Sequence, residues 1–88
     1  MHMDDLIKNL IEEGFKPSHF ELINESHKHA GHAGDDGSGQ THYRLIVVSS
    51  EFGGKARIEC HRAVMFCLAP AFDKGLHAVS LKLSAHDL

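Results

Sequence analysis

The chain has no tryptophan, one tyrosine, two prolines and two cysteines in 88 residues. Two cysteines cannot build a disulfide framework. Cys60 and Cys67 lie in a stretch that reads as helix, where seven residues separate their Cα atoms by about 10 Å along the axis. A disulfide needs less than about 7 Å, so both thiols are expected free, in an intracellular, reducing compartment that could be cytosol or mitochondrion. No apolar run approaches 18 residues, so no membrane span is expected. The N-terminus, Met1-His-Met-Asp-Asp5, lacks the basic and apolar regions of a secretory signal. Positive charge is also scarce: nine Lys and Arg face twelve Asp and Glu, a net charge of −3 with histidines neutral. That argues against a broad basic footprint for nucleic acid. No Gly-x-Gly-x-x-Gly, Ser-centred nucleophile motif or paired carboxylates occur. Cys60 and His61 are neighbours on a helix and point about 100° apart, so they make no dyad. Catalysis is not expected.

What the chain does have is histidine, nine in all. His27, His29 and His32 share one Gly-rich stretch, Glu25-Ser-His-Lys-His-Ala-Gly-His-Ala-Gly34. His42, His61 and His77 sit singly at element boundaries. Imidazole is a common metal ligand and the side chain most easily titrated near neutral pH.

The length and an apolar fraction of 42% fit one small domain, residues 1–88, with a modest core. Asp4 or Asp5 caps a first helix whose stripe is Leu6, Ile7, Leu10 and Ile11, and Gly14 ends it. Pro17-Ser18 opens a strand through about Asn24, with Phe20 and Leu22 on one face. Residues 25–40 lack apolar anchors and read as a long mobile loop. Thr41 to Ser50 is the clearest strand, apolar on both faces near Leu45-Ile-Val-Val48. After a turn at Phe52-Gly-Gly54, Ile58, His61, Met65, Leu68 and Phe72 recur at helical spacing as an apolar seam. Pro70 kinks or ends that helix near Ala69. A third strand, Leu76 to Leu83, alternates His77, Val79, Leu81 and Leu83 onto one face, and Ser84 could cap one more helical turn. The order is α-β-β-α-β: an α+β fold with helices on one face of a three-stranded sheet, strands two and three parallel.

Each histidine has a plain reading beside a chemical one. The loop histidines are either solvated loop residues or metal ligands on a flexible arm. His77 is either a core-edge ring satisfied by a carbonyl or a ligand held by a rigid strand. His61, on the expected seam, and His42 read as structural rings. Lys55, Arg57 and Arg62 form a small basic edge that could touch nucleic acid. However, Gly53-Gly-Lys-Ala56 lacks the second glycine of a Gly-x-x-Gly clamp.

An ordered set of short motifs adds a resemblance. Asn24-Glu-Ser26, a His three residues on, Thr41-His-Tyr43, Val48-Ser49, Phe52-x-Gly54, His61-Arg62 and Leu76-His-Ala78 together resemble the BolA-like family, from about Phe20 to Leu83. The resemblance implies a class II KH-like αββαβ fold and a non-enzymatic adaptor that pairs with a monothiol glutaredoxin. It also implies a shared, bridged 2Fe–2S cluster, with thiolates from the glutaredoxin and its glutathione. The positions matching the family's cluster ligands are His29, with His32 as competitor because the His-Ala-Gly tandem shifts the alignment by three, and His77. Histidine in place of thiolate raises a cluster's potential, and the isolated chain, a monomer when apo, would hold no cluster tightly. Partner docking falls on Cys60, His61 and Arg62, where the family's usual Arg-His-Arg begins with Cys60 instead. Some BolA-like proteins are linked to transcriptional regulation, which keeps the Lys55, Arg57 and Arg62 edge as the alternative.

Overall fold

In the computed structural model, which describes residues 2–29 and 39–86 without the side chains of Lys28 and His29, the first helix, α1, spans Met3–Phe15. Met3, Ile7, Ile11 and Phe15 recur every fourth residue and are buried, so one stripe faces the core. The cap is His2, whose Nδ1 accepts the Asp4 N–H at 3.2 Å, and not either aspartate. Nor does Gly14 end the helix. Lys16 does, in the left-handed region at φ 46° with its N–H on the Glu12 carbonyl. Gly14 meets a different demand: a Cβ there would lie 2.9 Å from Cys67 Sγ.

Strand β1 (His19–Asn24) pairs antiparallel with β2 (His42–Val48), and β2 pairs parallel with β3 (Ala78–Ser84). The sheet order is β1-β2-β3, so β2 is central. Tyr43, Leu45 and Val47 face the helices and are buried. In register with them stand Phe20 and Leu22 of β1 and Val79, Leu81 and Leu83 of β3, which pack against the core.

The crossover from β2 to β3 runs through a 3-10 turn, Ser50–Phe52, and two helices, α2 (Arg57–Cys67) and α3 (Ala69–Asp73). Pro70 sits in the first turn of α3, where its missing N–H costs nothing, and the break falls at Leu68. The seam of α2 differs from the expected one. Cys60, Val64 and Leu68 are fully or nearly buried, while Ile58 is 58% exposed and His61 lies on the surface. Apolar residues fall all round this helix, so spacing alone could not choose its inner face.

Residues 25–40 are not uniformly loop: Ser26–His29 form a 3-10 turn. The rest of the expected mobile segment, residues 30–38 and His32 with them, lies outside the described residues. Ser84 ends β3 instead of capping a helix. No helix among the described residues is long and apolar enough to cross a membrane.

Candidate functional site

The histidine end of the sheet is assembled from backbone. Asn24 pairs with Tyr43, the Glu25 N–H donates to the His42 carbonyl, and His42 pairs with Ala78. The 3-10 turn carrying His29 and the strand start carrying His77 therefore leave the same end of the sheet, on either side of β2.

The sequence Asn24-Glu-Ser26 fixes this end. The buried Ser26 hydroxyl accepts the N–H groups of Thr41 and His42, both at 3.0 Å, and donates to the His42 carbonyl at 3.3 Å. Asn24 accepts the Ser26 N–H at 2.9 Å and donates to the Gly39 carbonyl at 2.7 Å. Two side chains thus tie the two ends of the loop together at its neck. Sequence motif matching finds these residues but not this role, because the bonds join positions about fifteen residues apart.

His77 is exposed and precedes the first residue of β3. Its N–H donates to the Thr41 carbonyl at 2.9 Å. Its ring stands 5.2 Å, centroid to centroid, from that of His42. His42 is buried, as its structural reading requires, with Nδ1 at 2.8 Å from Thr41 Oγ1. The result is an accessible imidazole on a rigid backbone, backed by a second, buried one. Among the described residues no three His, Cys, Asp or Glu side chains converge.

The docking residues separate. Cys60 is not on a docking face: it is 6% exposed and its thiol points at the Phe52 carbonyl at 3.7 Å. Its departure from the family's arginine is absorbed by the core. His61 and Arg62 are exposed, which corrects the buried reading of His61. On the neighbouring stripe Ile58, Arg62 and Phe66 follow at four-residue intervals, with Phe66 85% exposed. Lys55 and Arg57 are exposed beside them. Cys67 donates to the Leu10 carbonyl at 3.2 Å, and burial pushes its thiol pKa up, so it holds α2 to α1 as a neutral group. Both cysteines are free.

Comparison with known proteins decides the family. The model of the BolA-like protein family matches residues 11–87. The chain belongs to the BolA-like family. A Sinorhizobium protein, the uncharacterized protein in the cobS 5′ region, is 43% identical over 86 residues, covering 97% of this chain and 92% of that one. SufE-like protein 1 of Arabidopsis thaliana, named chloroplastic/mitochondrial, is 37% identical over 79 residues, 85% of this BolA-like chain but only 21% of the relative. The solved BolA domain of SufE1 from the same plant superposes with a TM-score of 0.81 at 32% identity, covering 92% of this chain and 90% of that domain. These matches establish the α+β BolA-like fold with its three-stranded sheet.

Proposed function

We propose that this BolA-like chain is a non-enzymatic adaptor that shares a 2Fe–2S cluster with a monothiol glutaredoxin. The observation that carries the reading is the placement of His77. It is exposed, pinned through its own N–H to Thr41, and leaves the same end of the sheet as the turn that carries His29, on the other side of β2. A shared cluster needs such an arrangement, with one imidazole fixed by a strand and one supplied by the loop. His29 is the first choice for the loop ligand because it falls within the turn that Ser26 begins, and His32 is its competitor. The partner and its glutathione would complete the coordination with thiolates.

His77 holds its ring ready through backbone placement, which lowers the ordering cost of ligation. The exposed Ile58, Arg62 and Phe66 stripe, with His61 beside it, offers the partner an apolar and cationic contact. A BolA domain within a SufE-like protein of Arabidopsis is consistent with a role in iron–sulfur assembly.

The test is to titrate the purified chain into cluster-loaded monothiol glutaredoxin with glutathione, following visible absorption and circular dichroism. A changed cluster spectrum saturating at one to one is the expected outcome. An unchanged spectrum, together with salt-sensitive binding of nucleic acid lost on charge reversal of Lys55, Arg57 and Arg62, would overturn the reading.

A further inference from the structure

Strand β3 is an edge strand, hydrogen-bonded on one side only to β2. The Ala78 N–H donates to the Thr41 carbonyl, and the Ser84 carbonyl accepts the Ser49 N–H, so these residues direct their backbone groups inward. Successive residues of a strand alternate in direction. The N–H and C=O groups of Val79, Leu81 and Leu83 therefore face the outer edge, where no strand pairs among the described residues. An open edge of this kind is a template for strand addition.

The same edge borders a cleft of about 380 Å³ lined by Arg57, His61, Leu81, Lys82 and Leu83. Two cations, an imidazole and two leucines line it, and no carboxylate does. The approach is cationic too: between residues 55 and 62 the chain carries Lys55, Arg57 and Arg62 against the single carboxylate of Glu59. Glu59 is itself engaged, accepting the Ala56 N–H at 3.0 Å. A local positive patch on a chain of net charge −3 selects for negative partners at close range.

We infer that the outer edge of β3 with this cleft is a docking site for an extended acidic peptide of a partner protein, added as a fourth strand. The backbone of the peptide would pair with Val79, Leu81 and Leu83. Side chains on the helix face of the added strand would meet the half-buried leucines with Arg57 and His61 of α2 beside them, and carboxylates on the opposite face would meet Lys82. A nucleic acid suits the site less well. Its lining offers no phenyl, phenol or indole ring for base stacking and only the one imidazole of His61, and a strand edge presents backbone groups spaced for another peptide. The site is separate from the proposed cluster ligands, because Leu81 and Leu83 stand about 13–20 Å along β3 from His77. It holds or fails independently of the cluster reading.

The experiment uses the full chain and a blocked eight-residue peptide alternating glutamate with valine. The controls are the same peptide with lysine for glutamate, one with alternate amides N-methylated, and a single-stranded oligonucleotide of equal charge. Amide shifts in the NMR spectrum should concentrate at Val79, Leu81 and Leu83 and at Arg57 and His61. Arg57→Glu with Lys82→Glu, both at exposed positions, should weaken the glutamate peptide at least tenfold while leaving the remaining spectrum unchanged. N-methylation on the edge-facing register should abolish binding. Equal binding of the lysine peptide, shifts confined to other surfaces, absence of saturable binding, or an oligonucleotide that binds tenfold tighter at the same amides would each overturn the inference.

Discussion

The Ser26 hydroxyl accepts the His42 N–H at 3.0 Å and donates to the carbonyl of the same residue at 3.3 Å. One oxygen thereby sets the start of the central strand and the exit of the loop. Ser26→Ala would leave two buried N–H groups, those of Thr41 and His42, without this acceptor. Each unsatisfied buried group costs about 1–3 kcal/mol, so a loss of roughly 2–3 kcal/mol is expected in urea unfolding. A loss below about 0.5 kcal/mol would show that another acceptor replaces the hydroxyl.

A second prediction concerns Gly14 and Cys67. Alanine in a helix interior normally stabilises over glycine by up to about 1 kcal/mol. Here the new Cβ meets Cys67 Sγ at 2.9 Å, and the sulfur can withdraw only by giving up its bond to the Leu10 carbonyl. Gly14→Ala should therefore destabilise by about 0.5–1 kcal/mol, whereas in a Cys67→Ala background it should stabilise by a similar amount. Thermal melts of the four proteins measure the sign change, and its absence would mean the thiol moves freely.

Tyr43 gives a pH prediction. Burial, then its hydrogen bond to Asp4 Oδ1 at 2.5 Å, then the charge of Asp4, raise its phenol pKa well above the ordinary 10.0. A raised pKa means that the folded state holds its proton more tightly than the unfolded one. The stabilisation is thus fully present below pH 10 and is lost as pH rises beyond it. It is the only tyrosine, so absorbance at the phenolate band reports it alone. Ionisation should coincide with unfolding, and Tyr43→Phe should flatten the alkaline loss of stability. A separate phenolate transition near 10 in the folded protein would contradict the burial argument.

Substitutions at the proposed cluster ligands separate fold from function. His77→Ala should leave the melting temperature nearly unchanged, because the ring is exposed, and should abolish the changed spectrum of the shared cluster. His29→Ala should give a weaker, more labile shared cluster, while His32→Ala should change little. Loss only in His32→Ala would assign the loop ligand to the second His-Ala-Gly unit. Full cluster sharing by His77→Gln would return His77 to a structural role.

Much of the fold was legible because its signals were local. The stripe of α1, the doubly apolar β2 and the alternation of β3 each declare themselves within ten or so residues. What escaped depended on distant partners. Spacing alone puts Ile58 and His61 on the inner seam of α2, yet Cys60 and Val64 fill it, since the sheet and α1 choose the buried face. Gly14 looked like a helix stop until the approach of Cys67 supplied its reason. His77 was legible as a candidate by its place before β3. The ring of His42 behind it was not, because nothing local links the two positions.

The neck closed by Asn24 and Ser26 has a consequence for engineering. Asn24 binds Gly39, and Ser26 binds Thr41 and His42, so the ends of the intervening segment are held whatever lies between them. Loop closure adds only about 0.6 kcal/mol for each doubling of length. The segment should therefore serve as an exchangeable cassette, into which foreign ligand-bearing sequences can be spliced while the domain keeps its melting temperature within a few degrees.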